Sequence, residues 1–181
     1  MSYLVFDGDE LLLSLFDSNG RLVNRWPAGN FGGPTSDFKT IAGDEYITFI
    51  PDGEYSFDRH SQSIPQRHKK QSDDAANGPY GSLGIFRLEP FVYGGQLHSG
   101  VGIHSGRETK FDSRVISQKP LLQTHNRGPY YRTFGCIRTT DAAMLGIAGA
   151  IKNDPLKTLK VRNNGSHPVG KLKGGAPQRL L

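Results

Sequence analysis

Short apolar runs separated by turn-forming residues are the feature that most constrains how this chain folds. Residues 3–6, 11–16 and 21–26 are apolar or alternating runs of the length and composition typical of β-strands. Asp7-Gly8-Asp9 and Asp17-Ser18-Asn19-Gly20 separate these runs, and both contain residues that tolerate a positive φ. The first 26 residues are therefore predicted to form a β-meander.

One stretch downstream has a helical period instead. Residues 140–151 can begin at a cap on Thr140 or Asp141. The apolar side chains of this stretch recur on one helix face, at Met144, Ile147, Ala148 and Ile151. Further strands are predicted at residues 46–50, 54–57, 84–88, 100–104 and 159–161.

Length and composition favour one β-rich domain. The chain has 181 residues, of which 23 are glycine and 11 are proline. We predict a mainly β fold over residues 1–162, with two small sheets packed as a sandwich, one helix after Cys136, and long loops. The polar segments 58–81 and 106–132 are predicted to be surface loops. Residues 163–181, rich in Gly, Pro and Lys, are predicted to be a disordered basic tail.

Charge and hydropathy argue against several classes of protein. The net charge is +5, but the basic residues form no stripe with interleaved aromatic residues, so nucleic-acid binding is not expected. No stretch has the apolar length of a membrane-spanning helix. The first residues lack the basic and apolar regions of a signal peptide. We therefore expect synthesis as a soluble cytoplasmic protein without an export signal.

Cys136 is the only cysteine, and it lies in the sextet Thr133-Phe134-Gly135-Cys136-Ile137-Arg138. A lone cysteine cannot form an intramolecular disulfide or a cysteine-rich zinc site. It is either a small buried apolar residue or a nucleophile. The adjoining glycine favours the nucleophile, because the backbone there can approach a substrate carbonyl closely. The amide groups of Gly135 and Cys136 can then form an oxyanion hole.

A cysteine nucleophile needs a base to remove its proton. His167 is the only histidine after Cys136, and it lies in the predicted tail, so the base is expected upstream. The upstream candidates are His60, His68, His98, His104 and His125. The first two lie in a polar loop and are predicted to be exposed. His104 is preferred, while His98, which would share its face on an extended strand, and His125 stay alternatives. No histidine pair has the close spacing of a His-Glu-x-x-His zinc site, so no metal is expected.

These residues resemble the signature of the YkuD-type L,D-transpeptidases of bacterial cell walls. That signature is a histidine, a spacer, Ser/Thr-His-Gly-Cys, an apolar residue, and Asn or Arg. In this chain His104 is followed by 28 positions and then by the sextet that contains Cys136. The spacer is longer than that of the family, and Phe134 replaces the second histidine of the signature. The resemblance covers residues 3–162, and further segments in the family's order are 26–29, 51–55 and 83–86.

The resemblance implies an enzyme that acts on peptidoglycan stem tetrapeptides without a cofactor. Cys136 would attack the carbonyl of the penultimate residue and expel the terminal D-alanine, with His104 as the base. Thr133 would orient that base, Ser105 would contact substrate, and Arg138 would either bind a stem carboxylate or brace the loop. The acyl-enzyme would then pass to water, to a free D-amino acid or to another stem.

The expected absence of an export signal extends the likeness to leaderless antibacterial effectors of this superfamily. A type VI secretion system injects such effectors into the periplasm of a rival bacterium. This likeness implies an immunity protein and a component of the secretion apparatus as partners, beside peptidoglycan itself. Two other functions fit the same residues. One is a non-catalytic peptidoglycan-binding module in which Cys136 is merely packed, and the other is a cysteine amidase or peptidase of different specificity.

Overall fold

The computed structural model describes residues 1–30, 49–66, 80–81, 83–105, 133 and 135–164. The elements in chain order are β1 (Ser2–Asp7), β2 (Leu12–Phe16), β3 (Leu22–Pro27), β4 (Gly53–Ser56), a 3-10 turn (Arg59–Ser61), β5 (Ile85–Arg87), β6 (Phe91–Tyr93), β7 (Gln96–His98), β8 (Gly102–His104), β9 (Ile137–Arg138), α1 (Asp141–Ala150) and β10 (Leu156–Arg162).

The larger sheet has five strands in the order β3-β2-β1-β10-β4. Its first three strands are the predicted meander. The turn between β2 and β3 is closed by Asp17, whose Oδ1 accepts hydrogen bonds from the backbone N–H groups of Asn19 and Arg21, both at 2.9 Å. β10 lies inside this sheet, parallel to β1 and antiparallel to β4. The last strand of the chain therefore joins the N-terminal meander to β4.

The smaller sheet has three strands in the order β5-β8-β9. β8 is antiparallel to β5 and parallel to β9. β6 and β7 form a separate hairpin, whose turn residues Gly94 and Gly95 have φ angles of 60° and 79°. Glycine adopts such angles without a steric penalty, which explains the tight turn. The sequence analysis did not predict this hairpin.

The helix α1 begins at the predicted cap. The Oγ1 of Thr140 accepts a hydrogen bond from the Ala143 N–H at 3.1 Å, which satisfies a backbone donor of the first turn. Three of the four residues predicted to share the apolar face are fully buried and Ala148 is half-buried; the fully buried residues are Met144, Ile147 and Ile151. The helix packs closely on β3 at Gly146, where a Cβ would come within 2.6 Å of the Trp26 ring.

One hydrophobic core joins the two sheets and the helix. Its fully buried side chains include Leu4 and Phe6 from β1, Leu13 and Leu15 from β2, Phe86 from β5, Ile103 from β8, Ile137 from β9, and Met144 and Ile147 from α1. The predicted mainly β fold with a helix after Cys136 is thus confirmed. Within the part of the chain that the structure describes, no helix has the length and apolar character needed to cross a membrane.

Several predictions about individual segments have different outcomes. The predicted strand at 46–50 is wrong at Phe49 and Ile50, which lie outside the strands, while residues 46–48 fall outside the described residues. The segment 106–132 and most of 58–81 also lie outside them. Asn163 and Asn164 pack into the fold, and Asn164 is 1% exposed. The domain boundaries and the disorder of the tail from residue 165 onward stay predictions.

Candidate active site

The register of the smaller sheet divides its side chains between two faces. Phe86, Ile103 and Ile137 pair across the three strands and are all fully buried in the core. Because side chains alternate along a strand, the neighbouring row points to the opposite face. That row contains His104 on β8 and Arg138 on β9, which are direct partners in the ladder.

Cys136 directly precedes β9 and lies two residues before Arg138, so it belongs to the same face as His104. Extending the ladder by one residue places Cys136 opposite Gly102. With strands about 4.8 Å apart and a rise of about 3.3 Å per residue, the Cα atoms of Cys136 and His104 are about 8 Å apart. The thiol and the imidazole therefore project from neighbouring strands toward a common space, as the sequence analysis predicted for this pair.

The thiol is buried, with a residue exposure of 6%, and its Sγ donates to the Gly100 carbonyl oxygen at 3.9 Å. Burial raises the pKa of the Cys136 thiol from 9.0 to about 11. A hydrogen bond from the Gly102 backbone and the positive charge of Arg87 oppose this shift. At neutral pH the thiol therefore keeps its proton, and a reaction at sulfur requires a base.

Asn30 determines how the backbone runs through the cysteine. Its Nδ2 donates to the carbonyl oxygens of Gly135 and Cys136, at 2.8 and 2.9 Å. Two successive carbonyls thus point toward one side-chain amide, and Gly135 accommodates this path with a φ of 94°. Because a trans peptide places N–H and C=O on opposite sides, the Cys136 N–H points away from Asn30. Gly135 and Cys136 thus have the backbone arrangement that an oxyanion donor needs.

Thr133 binds the same turn from another side. Its hydroxyl donates to the Cys136 carbonyl oxygen. The predicted role of Thr133 was to orient the base, whereas its observed partner is the backbone of the nucleophile. Its one hydroxyl proton is used in this contact, so Thr133 positions the cysteine loop in this structure.

Asn164 extends the support of the cysteine loop to the residues after β10. Its Nδ2 donates to the Asn30 Oδ1 at 2.8 Å and to the Ile50 carbonyl oxygen at 2.7 Å. Its backbone N–H donates to Asp52 Oδ1 at 2.8 Å. Asn30 and Asn164 are 2% and 1% exposed, so these bonds are shielded from water. We call this pair the asparagine clasp.

His104 is buried on the site face, with an exposure of 6%. Its ring meets the Tyr80 ring edge to face, with centroids 5.2 Å apart and planes at 66°. The Arg87 guanidinium lies 5.4 Å from the Tyr80 centroid on the ring face. The sequence analysis missed Tyr80 and Arg87, and it also missed the asparagine clasp. Only the Arg87 position within a predicted strand could have indicated its neighbourhood.

Arg138 and Ser105, the predicted substrate-binding residues, contact each other. The Arg138 Nε donates to the Ser105 carbonyl oxygen at 2.9 Å, and both residues are buried. This bond links the end of β9 to the residue after β8, which is the bracing role foreseen as one alternative for Arg138. Substrate contact by either residue stays a prediction.

The other histidines lie elsewhere or outside the described residues. His98 belongs to β7 in the separate hairpin, where its Nε2 lies 3.1 Å from the Tyr93 carbonyl oxygen. The expectation that His98 and His104 share the face of one strand is therefore wrong, because the turn at Gly100 (φ 75°) separates two strands of different sheets. His60 is exposed, as predicted. The positions of His68, His125 and His167 are outside the described residues.

The donor set was also compared with the needs of a metal ion. Across the described ranges, no group of three or more His, Cys, Asp or Glu side chains is placed to hold one. Cys136 and His104 by themselves supply two ligands, which is fewer than a structural zinc site uses. The arrangement instead suits nucleophilic catalysis by a thiol with a histidine base.

Comparisons with solved structures agree with this fold. The helical cell shape determining protein Pgp2 from Campylobacter jejuni is 14% identical, with a TM-score of 0.51 over 97% of this chain and 50% of that chain. An L,D-transpeptidase from Xylanimonas cellulosilytica is 15% identical, with a TM-score of 0.45 over 88% of this chain and 59% of that one. The present chain thus spans between half and three fifths of the length of these similar structures.

A comparison with curated proteins found no match. The family model for the L,D-transpeptidase catalytic domain, YkuD, matches residues 2–168. This range includes both sheets, the helix, and every residue of the site described above. The chain therefore belongs to the YkuD family of L,D-transpeptidase catalytic domains.

Proposed function

We propose that this protein is a cysteine-dependent enzyme that cleaves the terminal D-alanine from peptidoglycan stem tetrapeptides. The observation that carries the proposal is the register of β8 and β9, which sets Cys136 and His104 on one face of neighbouring strands. The same arrangement occurs in a chain that belongs to the YkuD family. A thiol and an imidazole in this relation support acyl transfer through a thioester.

In the first step His104 acts as a general base and accepts the thiol proton of Cys136. The sulfur attacks the carbonyl carbon of the penultimate residue, so a C–S bond forms and negative charge develops on the carbonyl oxygen. The Cys136 N–H, which points away from Asn30, donates a hydrogen bond to this oxygen. The C–N bond then breaks, and the leaving amine of D-alanine takes the proton from His104.

The raised pKa of the thiol determines the order of these events. With a pKa of about 11, the thiolate fraction at pH 7 is about 1 in 10,000. A preformed thiolate is therefore too rare to be the main nucleophile. Proton transfer to His104 accompanies the attack on the substrate, and the enzyme depends on that histidine more than one with a thiolate at rest.

The thioester then reacts with an acceptor, and His104 removes a proton from it as the new bond forms. Water as the acceptor gives the tripeptide, a free D-amino acid gives an exchanged tetrapeptide, and the amine of another stem gives a cross-link. Carboxypeptidase activity, exchange or both are proposed here on the basis of family membership. Contacts of Arg138 and Ser105 with the substrate belong to the same proposal.

Incubation of the purified protein with a stem tetrapeptide, read by mass spectrometry, tests this function. A free D-amino acid other than alanine is added in a parallel reaction, so that hydrolysis and exchange give products of different mass. Cys136→Ala should lose turnover by several orders of magnitude while keeping the circular dichroism spectrum of the fold. Undiminished turnover by this variant would rule out the thiol mechanism. Cleavage of a bond other than the one to D-alanine would assign the protein to the cysteine amidases or peptidases instead.

A non-catalytic peptidoglycan-binding module is the second candidate, and the burial of Cys136 favours it. A thiol that is 6% exposed with a raised pKa also describes an inert core cysteine. Alkylation of the folded protein with iodoacetamide separates the two functions. Modification of Cys136 should abolish turnover of an enzyme, whereas a binding module should retain sacculus binding whether or not the thiol is blocked.

Action in the periplasm of a rival bacterium, delivery by a type VI system and control by an immunity protein are also part of the proposal. They rest on the sequence resemblance alone. Expression of the chain with and without a fused export signal tests them. The exported form should cause swelling or lysis, and the exported Cys136→Ala form should be harmless. Equal toxicity in both compartments would contradict a periplasmic target.

A further inference from the structure

Arg87 occupies the site face of the smaller sheet, on the strand at the other side of β8 from Cys136. Arg87 pairs with Gly102 in the ladder, and Gly102 lies opposite Cys136 when the β8–β9 ladder is extended by one residue. Arginine, glycine and cysteine therefore form one row across three strands. The two outer Cα atoms of this row are about 10 Å apart, which is twice the spacing between strands.

The centre of this row must remain free of a side chain. A Cβ on Gly102 would come within 2.2 Å of the Phe86 carbonyl oxygen, and within 2.9 Å of an Ile85 side-chain carbon. Only glycine fits there, so a gap persists between the arginine and the cysteine. A small planar group of the substrate can enter this gap.

The guanidinium is held toward the site by two neighbours. It lies on the Tyr80 ring, whose edge-to-face partner is His104. Its Nη1 is 3.7 Å from the position that a Cβ on Gly100 would occupy, and the carbonyl oxygen of Gly100 is the atom contacted by the Cys136 thiol. The guanidinium, the imidazole and the thiol thus surround the same Gly100–Gly102 segment.

The charge of Arg87 is available to a ligand. Among the described residues, no acidic side chain forms an ion pair with it, and its side chain is only half-buried. Arg138, the other arginine of this face, is buried and donates to the Ser105 carbonyl oxygen. The charge of Arg87 reaches the sulfur, since it lowers the pKa of the Cys136 thiol against the effect of burial.

We infer that Arg87 binds a carboxylate of the substrate and thereby selects stems that end in a free carboxyl group. The inference rests on the proposed function and adds a specificity-determining residue to it. The carboxylate of the leaving D-alanine lies about 4 Å from the scissile carbonyl carbon, because neighbouring residues are 3.8 Å apart. A carboxylate at that distance from the sulfur reaches the gap over Gly102. Arginine binds carboxylates through two parallel N–H donors.

This inference predicts a preference among substrates. A tetrapeptide with a free C-terminal carboxylate should react faster than the same peptide with a C-terminal amide, which has no negative charge. The favoured reactions are then removal or exchange of a terminal residue, and cleavage inside a longer chain is disfavoured. A stem whose third residue has a side-chain carboxylate offers a second source of the same group, so both sources need separate substrates.

The test measures kcat/KM for wild type, Arg87→Gln and Arg87→Lys on three peptides: the tetrapeptide acid, its C-terminal amide, and an acid whose third residue lacks a side-chain carboxylate. Hydrogen bonds to a charged group are worth about 10- to 150-fold, so Arg87→Gln should lose about that factor on the acid. It should lose little on the amide. Arg87→Lys keeps the charge without the two-pronged geometry and should be intermediate. Arg25→Gln, at an exposed position on β3, is the control for the change in net charge.

Equal loss on acid and amide would overturn the inference and assign Arg87 a structural role, as would no loss on either. A loss that disappears only with the third peptide would place the contact at the side-chain carboxylate instead. Calorimetric binding of the tetrapeptide acid to the Cys136→Ala protein, with and without Arg87→Gln, separates this inference from the proposed function. Arg87-dependent binding without turnover by wild type would contradict the enzyme alone. Turnover without an acid preference would contradict the carboxylate site alone.

Discussion

Replacement of Asn30 by alanine removes the side chain that positions the cysteine loop. The wild-type amide donates to the carbonyl oxygens of Gly135 and Cys136. Its oxygen accepts from the Ile50 N–H and from the Asn164 Nδ2. Asn30→Ala therefore deletes four hydrogen bonds at a position that is 2% exposed.

These four bonds determine the expected magnitude. Each buried hydrogen bond contributes about 1 kcal/mol net, and donors left without an acceptor cost somewhat more. The free energy of unfolding should fall by about 3 to 5 kcal/mol, which is a large part of the stability of an ordinary domain. The peptide between Gly135 and Cys136 also loses its fixed orientation. Since removal of one oxyanion donor costs about 100- to 1,000-fold in kcat, a loss in that range is expected.

Two reactions of the same thiol separate positioning from general damage. Alkylation by iodoacetamide is a direct displacement at carbon and forms no oxyanion, whereas acylation by an activated ester passes through a tetrahedral intermediate. Asn30→Ala should slow acylation far more than alkylation, in protein shown to be folded by circular dichroism at low temperature. Asn164→Ala leaves the bonds to the cysteine loop in place, so it should lower stability and largely retain acylation.

Asn153→Ala, at an exposed asparagine after α1, controls for the substitution itself and should change neither rate. Equal slowing of alkylation and acylation in Asn30→Ala would refute the argument, because it would show that the loop has simply lost its structure. Unchanged acylation would refute it in the other direction, since the Cys136 N–H would then be oriented without Asn30.

Three further outcomes are expected. His104→Ala should suppress turnover by orders of magnitude, because the protonated thiol needs a base, while His98→Ala, in the separate hairpin, should have little effect; the reverse order in a rate assay would reject the assignment of the base. The pKa of Cys136 is raised on folding, so its contribution to stability is complete below pH 9 and is lost as pH rises toward about 11. Urea titrations should then show wild type losing about 2 to 3 kcal/mol more than Cys136→Ala across that interval, and parallel curves would contradict the raised pKa. Truncation after Asn164 should leave the melting temperature unchanged, whereas truncation after Arg162 should lower it by several degrees because the asparagine clasp is lost; equal melting temperatures would show that the clasp adds no stability.

The part of the fold that was predictable depends on local chemistry. The turn at Asp17–Gly20 and the cap at Thr140 satisfy backbone groups within a few residues of themselves, so short sequence windows contain the whole signal. The strand wrongly predicted at Phe49 and Ile50 has suitable residues, but the Ile50 N–H bonds to the Asn30 side chain instead of to a strand. A distant side chain thus overrode a local preference.

The candidate site was predictable in part for the same reason. Cys136 and Gly135 adjoin each other in the chain, and their chemistry can be inferred from that short segment alone. The choice between His104 and His98 required the sheets, because six residues of sequence do not show that a turn at Gly100 sends the two histidines into different strands. Arg87 gave no signal of its own, since an arginine in a strand is usually an exposed surface residue.

The sequence by itself determined the strand-rich composition, the turns, the helix after the nucleophile and the identity of the reactive group. Only the tertiary structure decided which residues surround that group. Asn30 and Cys136 are 106 positions apart, and the Arg138–Ser105 bond spans 33 positions. Strand periodicity determines which face a side chain takes, but it contains no information about which strand lies beside it. That pairing is selected when distant strands bury a common core, and the contacts around Cys136 exist only once the core has formed.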